Sequence, residues 1–188
     1  MRFAPILLLS LACAASAAPT KPPAAHKPSK PPIDVLFAQL AKAESPEDAK
    51  PIEEQILAYF TQSGSASIDL LMARGAAALA GGDGDTAKKL FNSVTSLAPN
   101  FAEGWHERAQ LQQQDGDDEG ALLSLQKVVT LNPRQFEAMS ELGDMLEDYG
   151  DKPGALKMYR RALALDPQLA GAAKHVRALE KDVEGQGI

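Results

Sequence analysis

Cysteine is almost missing from these 188 residues: Cys13 stands alone, so no disulfide framework and no thiolate cluster can form within one chain. Histidine occurs three times, as His26, His106 and His175, and no two of them have metal-ligand spacing. No serine sits in a strand-to-helix elbow. The glycines of GGDGDTAKK at 81–89 lack the order of a phosphate-binding loop. Beyond the first twenty residues no apolar run is long enough to cross a bilayer. Basic residues are outnumbered as well. From residue 33 onward there are 25 acidic and 15 basic side chains, a net charge of −10. Such a body is repelled by nucleic acid and by anionic membrane surfaces. These absences predict no catalytic residues, no bound metal and no cofactor, and so no enzyme and no small-molecule substrate.

The N-terminus reads as an address. Arg2 supplies a positive start, Ala4–Ala12 a short apolar run, and Ala15-Ser16-Ala17 a small-residue cleavage signal, so residues 1–17 are expected to be a signal peptide for export. The string SLAC before Cys13 loosely resembles the lipidation box of bacterial lipoproteins, although Ser10 stands where a large aliphatic residue is usual. A lipid on Cys13 is the one route by which this chain would reach a membrane. Residues 18–32, rich in proline and lysine and carrying His26, are expected to be an extended, solvated tether.

The body is periodic. Pro99, Pro133 and Pro167 lie 34 residues apart, and so do Ala87, Ala121 and Ala155, and the pairs Gly82-Asp83, Gly116-Asp117 and Gly150-Asp151. Phe91, Leu125 and Tyr159 follow the alanines by four residues, and Val94, Val128 and Ala162 by seven. In this pattern the sequence resembles the tetratricopeptide repeat family. The resemblance implies an all-α fold, an α-solenoid of antiparallel helix pairs, with repeats at 68–101, 102–135 and 136–169. Small residues at position 8 (Gly75, Ala109, Gly143) and at position 20 let the two helices of a pair approach closely. The Gly-Asp pair supplies a left-handed turn and a cap for the next helix. Each repeat's proline stops its second helix.

Residues 33–67 also carry a helical apolar period, but Glu53 falls where the repeat alanine should be and Ser65 where the proline should be. This segment is expected to be a degenerate repeat or a helical pair that covers the first repeat. Residues 170–188 are expected to form a polar-backed cap helix and a frayed tail. Two strings imitate sites. Asp115, Asp117 and Glu119 resemble a calcium loop, but Gln126 stands where a bidentate glutamate is needed, and the repeat requires 119–130 as helix. Trp105-His106-Glu107-Arg108 looks like the corner of an active site. The repeat register instead makes Trp105 a packing residue at position 4, with Arg108 at a position usually held by leucine.

What remains is a surface. In the family, positions 2, 5, 9, 12 and 13 of each first helix line the concave face. Carried over, they are Asp69, Met72, Ala76, Leu79 and Ala80 in the first repeat, and Glu103, His106, Gln110, Gln113 and Gln114 in the second. The third supplies Glu137, Ser140, Asp144, Glu147 and Asp148. One end of this groove would be apolar and the other polar to acidic. The family's chaperone-binding members hold a C-terminal carboxylate with lysines, arginines and asparagines that this groove lacks. The expected function is therefore a periplasmic scaffold that binds a protein or peptide with apolar and basic features. An envelope-anchored lipoprotein subunit is the alternative, and a metal-dependent enzyme using His106 or the 115–119 acids is the rival from another class.

Overall fold

A computed structural model describes residues 32–183 and 185. The expectations for the leader 1–17, for Cys13, and for His26 and most of the tether lie outside the described residues. The described residues hold no strand. The helices are α1 (Ile33–Leu40), α2 (Pro46–Phe60), α3 (Ala66–Ala80), α4 (Gly84–Leu97), α5 (Ala102–Gln114), α6 (Asp118–Leu131), α7 (Phe136–Asp148), α8 (Lys152–Leu165) and α9 (Ala172–Val183). The principal packing pairs are α1 with α2, α3 with α4, α5 with α6, α7 with α8, and then α4 with α5, α6 with α7 and α8 with α9. This is the all-α solenoid that the 34-residue period implies.

The period is visible in the turns. Gly82, Gly116 and Gly150 have φ of 77°, 75° and 83°, the left-handed region that glycine enters without steric cost. The aspartate after each glycine caps the next helix: Asp83 accepts from the Thr86 amide at 3.0 Å, Asp117 from Gly120 at 3.1 Å and Asp151 from Gly154 at 3.0 Å. Within pairs, the small residue at position 8 meets a large ring. A Cβ added to Gly75 would lie 2.5 Å from the Phe91 ring, and one added to Gly143 would lie 2.9 Å from that of Tyr159. At the C-terminal end α9 covers the third pair with Ala172 and Leu179 buried against Ala155, Leu156 and Tyr159.

The N-terminal helices pack mainly on the second and third repeats, and the end of α2 reaches the first. α2 and α3 are not among the principal pairs. The apolar stripe of α1 (Leu36, Phe37, Leu40) and that of α2 (Ala49, Ile56) instead join one core with Ala109, Val128, Phe136 and Met139. The first repeat packs on α5 through a separate small core of Ala87, Phe91 and Leu111. Side-chain contacts fix the seat of the hairpin. Phe37 meets the Phe136 ring edge-on at 6.4 Å, and the Arg134 guanidinium lies 3.8 Å over the Phe37 ring and 2.6 Å from Asp34. The Gln168 amide donates to the carbonyl of Ala43 at 3.1 Å.

Placing a β-branched side chain at the close approach tests this packing. Gly143→Val should cost about 1–3 kcal/mol through overpacking against Tyr159, roughly 3–10 °C in Tm for a chain of this size. An unchanged Tm in thermal unfolding followed by circular dichroism would contradict the geometry.

Candidate functional site

The first helices of the three repeats, α3, α5 and α7, present the concave side, and α2 runs across it. Its middle lies against the third repeat, where Glu53 faces Asp166 and Glu137. Its end lies against the first. Thr61 shares a cavity of about 290 Å³ with Asp69, Met72, Ala73, Ala76 and Glu107, and Asp69 accepts from the backbone N–H and hydroxyl of Ser63 at 3.0 and 2.6 Å.

The residues expected to line an open groove therefore divide into a covered set and an open set. His106, expected as a contact residue, is 3% exposed, and Trp105, expected as core, is only half-buried. The Trp105 indole donates to the Pro99 carbonyl at 3.0 Å and carries the Arg108 guanidinium over its ring at 5.3 Å. That contact accommodates the arginine at a leucine position. His106 is held by three neighbours: Nε2 lies 2.9 Å from Glu141 Oε2, Nδ1 lies 3.8 Å from Glu103 Oε2, and Gln110 donates to Glu141 Oε1 at 3.1 Å. Ser140 is half-buried.

The open set lies on the first repeat and at the C-terminal turns of α5 and α7. Met72 and Leu79 are half-buried in the first repeat, with Ala76 and Ala80 exposed. Gln113 and Asp148 line a second cavity of about 390 Å³ with Asp118, Met145 and Tyr149, and Gln114 is exposed. Asp144 and Glu147 are already engaged: both accept from the Tyr159 hydroxyl, at 2.5 and 3.2 Å, and Glu147 pairs with His175 at 2.9 Å. The calcium-like string is used locally. Asp115 pairs with Lys88 at 2.7 Å, while Asp117 caps α6 and accepts from Gln112 at 2.8 Å.

Seating α2 on an acidic face changes proton affinities. Burial raises Glu53, the Asp166 and Glu137 carboxylates raise it further, and together they push it up to about 7. Glu137 and Glu107 are also raised, each first by burial and then by neighbouring acids, with His106 opposing. For His106 burial opposes the charged ring, but Glu103 and Glu141 together outweigh it and raise the ring to about 10. An imidazolium at the centre thus holds the surrounding carboxylates together. Sequence reasoning missed Glu53, Glu141, Arg134 and Asp166. For Glu53 a signal existed, since it broke the repeat pattern.

No family model matches the chain. A TPR repeat-containing protein of Rhizobium etli is 34% identical over 79 residues, which span 42% of this chain and 39% of that protein. Among solved structures, the Sgt2 TPR domain from Aspergillus fumigatus has a TM-score of 0.56 at 22% identity, over 65% of this chain and 83% of that one. The first TPR of Spaghetti (RPAP3), bound to an HSP90 peptide SRMEEVD, has a TM-score of 0.55 at 20% identity, over 62% and 95%. MamA has a TM-score of 0.56 at 18% identity, over 75% and 78%.

The titrations give a signed prediction. Glu53 keeps its proton up to about 7 in the folded chain against an ordinary value of 4.5, so its contribution is complete below 4.5 and is lost as pH rises toward 7. His106 is charged up to about 10 against 6.5, so its contribution is complete below 6.5 and is lost as pH climbs toward 10. Tm should fall from pH 5 to pH 9. Glu53→Gln should flatten the lower part of that fall and His106→Asn the upper part. Wild-type slopes in both variants would contradict these assignments.

Proposed function

We propose, from the premise that this chain carries tetratricopeptide repeats, that it is a non-catalytic scaffold holding a protein or peptide on its concave side. The observation that carries this reading is the cavity of about 290 Å³ at the first repeat, floored by Met72, Ala73 and Ala76 and flanked by Asp69 and Glu107. An apolar floor beside two acids suits a partner segment that brings an apolar side chain together with a lysine or arginine. The second cavity, with Met145 and Tyr149 beside Asp118 and Asp148, repeats that chemistry at the C-terminal turns of α5 and α7. An acidic peptide of the kind bound to the Spaghetti domain would be repelled here.

In the same reading residues 1–17 direct export and the scaffold works in the bacterial periplasm, joined to its leader side by the proline-rich tether. An anchored version would carry lipid on Cys13. Intact mass of the exported protein separates the two: a mature N-terminus at Ala18 removes the anchor.

Photo-crosslinking in intact cells tests the surface. A photoreactive residue placed at Ala76 should give a discrete higher-mass adduct, whereas one at Gln126, on the outer helix α6, should give none. Adducts of equal yield from both positions, or none from Ala76, would contradict the concave assignment.

A further inference from the structure

Each outer helix of the array fills the same slot 34 residues after the last, so the repeats can be compared with one another. α4 and α6 open on acids, Asp85 in the one and Asp118 and Glu119 in the other, as the positive end of a helix dipole favours. α8 has no acid in its first turn and none anywhere between Lys152 and Leu165. Where α4 carries Lys89, Asn92 and Ser93, and α6 carries Leu123, Gln126 and Lys127, α8 carries Lys157, Arg160 and Arg161. These cations lie before the last turn, so the helix dipole does not account for them either. The charge balance reverses at the same point. Residues 33–151 hold 21 acidic and 8 basic side chains, and residues 152–188 hold four and seven.

The three cations line a cavity of about 460 Å³ on α8, together with the apolar Leu156, Ala164 and Val183. They are only partly neutralised. Arg160 pairs with Glu180 at 2.7 Å. Arg161 is half-buried, yet among the described residues its guanidinium reaches only the Met158 thioether, at 3.6 Å. Lys157 is exposed and has no carboxylate partner among the described residues. A thioether is a weak acceptor, and a charge drawn partly out of water is costly without an anion beside it.

We infer that this outer face of α8 is a second binding surface, for a partner segment that carries paired carboxylates beside one large apolar side chain. The chain is then a two-sided adaptor. Its concave cavity, flanked by Asp69 and Glu107, and its outer cavity accept ligands of opposite charge, and each repels the other's ligand. In the outer cavity the carboxylates meet Arg161 and Lys157, and the apolar side chain covers Leu156 and Val183. Extended polyanions such as a lipid surface or a nucleic acid suit this face poorly. A local cation cluster acts over a Debye length of about 8 Å, and beyond it such a ligand meets the acidic body. A short acidic segment meets the cations alone. The two cavities share no residue, so crosslinking from Ala76 can succeed or fail without bearing on this surface.

The probe is a heptapeptide of six glutamates around a central leucine, titrated at low salt into the full chain and followed by amide chemical shifts. Residues 153–164 should shift and residues 69–76 should not. Lys157→Gln combined with Arg161→Gln should weaken binding about fivefold, the scale of two partly exposed ion pairs. Lys157→Glu alone, at an exposed position, should also weaken it with Tm unchanged. Glycine in place of the central leucine should cost at least about threefold, through lost apolar burial. Equal shifts with a lysine heptapeptide, full affinity in the variants, or shifts confined to 69–76 would each overturn the inference. So would either of two results that name another occupant: phosphatidylglycerol vesicles that sediment the wild-type chain but not Lys157→Glu, or a dimer in sedimentation velocity that Lys157→Glu dissociates.

Discussion

The rest of this structure depends on one burial: the apolar stripe of α1 and α2 packed onto the inner helices of the second and third repeats. Leu36, Leu40 and Ile56 are at most 1% exposed, and burying side chains of this size contributes about 1.5–3 kcal/mol each. That drive is strong enough to take polar groups with it. Glu53, Glu103, Glu137 and Asp166 lie along the path of α2, and once covered they can no longer rely on water to screen one another. The protein meets the problem with a buried imidazolium at His106 and with a proton at Glu53. Packing therefore determines the electrostatics of the concave side.

The same burial separates the array into regions of different character. Beneath α2 the concave side is closed and its acids are coupled. At the first repeat it stays open over an apolar floor, because only the end of α2, at Thr61, reaches the cavity that Met72, Ala73 and Ala76 line. At the far end, Asp144 and Glu147 are tied to Tyr159 and His175, which join the third repeat to its cap helix. A solenoid is usually a row of equivalent units, each contacting its neighbours. Here a segment distant in sequence bridges two units and breaks that equivalence.

The repeat was legible in the sequence because its physical demands are local. Glycine at a left-handed turn, aspartate at the next cap and a small residue opposite a large ring all recur at fixed offsets, as Gly150, Asp151 and the Gly143–Tyr159 contact illustrate. The position of the hairpin was not legible, because the contact of Phe37 with Phe136 spans about a hundred residues and has no periodic trace. That single fact also inverted two neighbours. Family register assigns His106 to an open face and Trp105 to the core, but the histidine is buried among Glu103, Gln110 and Glu141, while the indole stays half-exposed under Arg108. Glu53 held the clue. A glutamate in an alanine slot cannot sit between two closely packed helices, and here it sits on a different surface altogether.

The placement of the hairpin can be measured directly by nuclear Overhauser effects in the full chain with selectively labelled phenylalanine. The account predicts cross-peaks between the ring protons of Phe37 and Phe136, whose centroids lie 6.4 Å apart. Cross-peaks from Phe37 to Leu70 of α3, with none to Phe136, would place the hairpin on the first repeat and contradict the account.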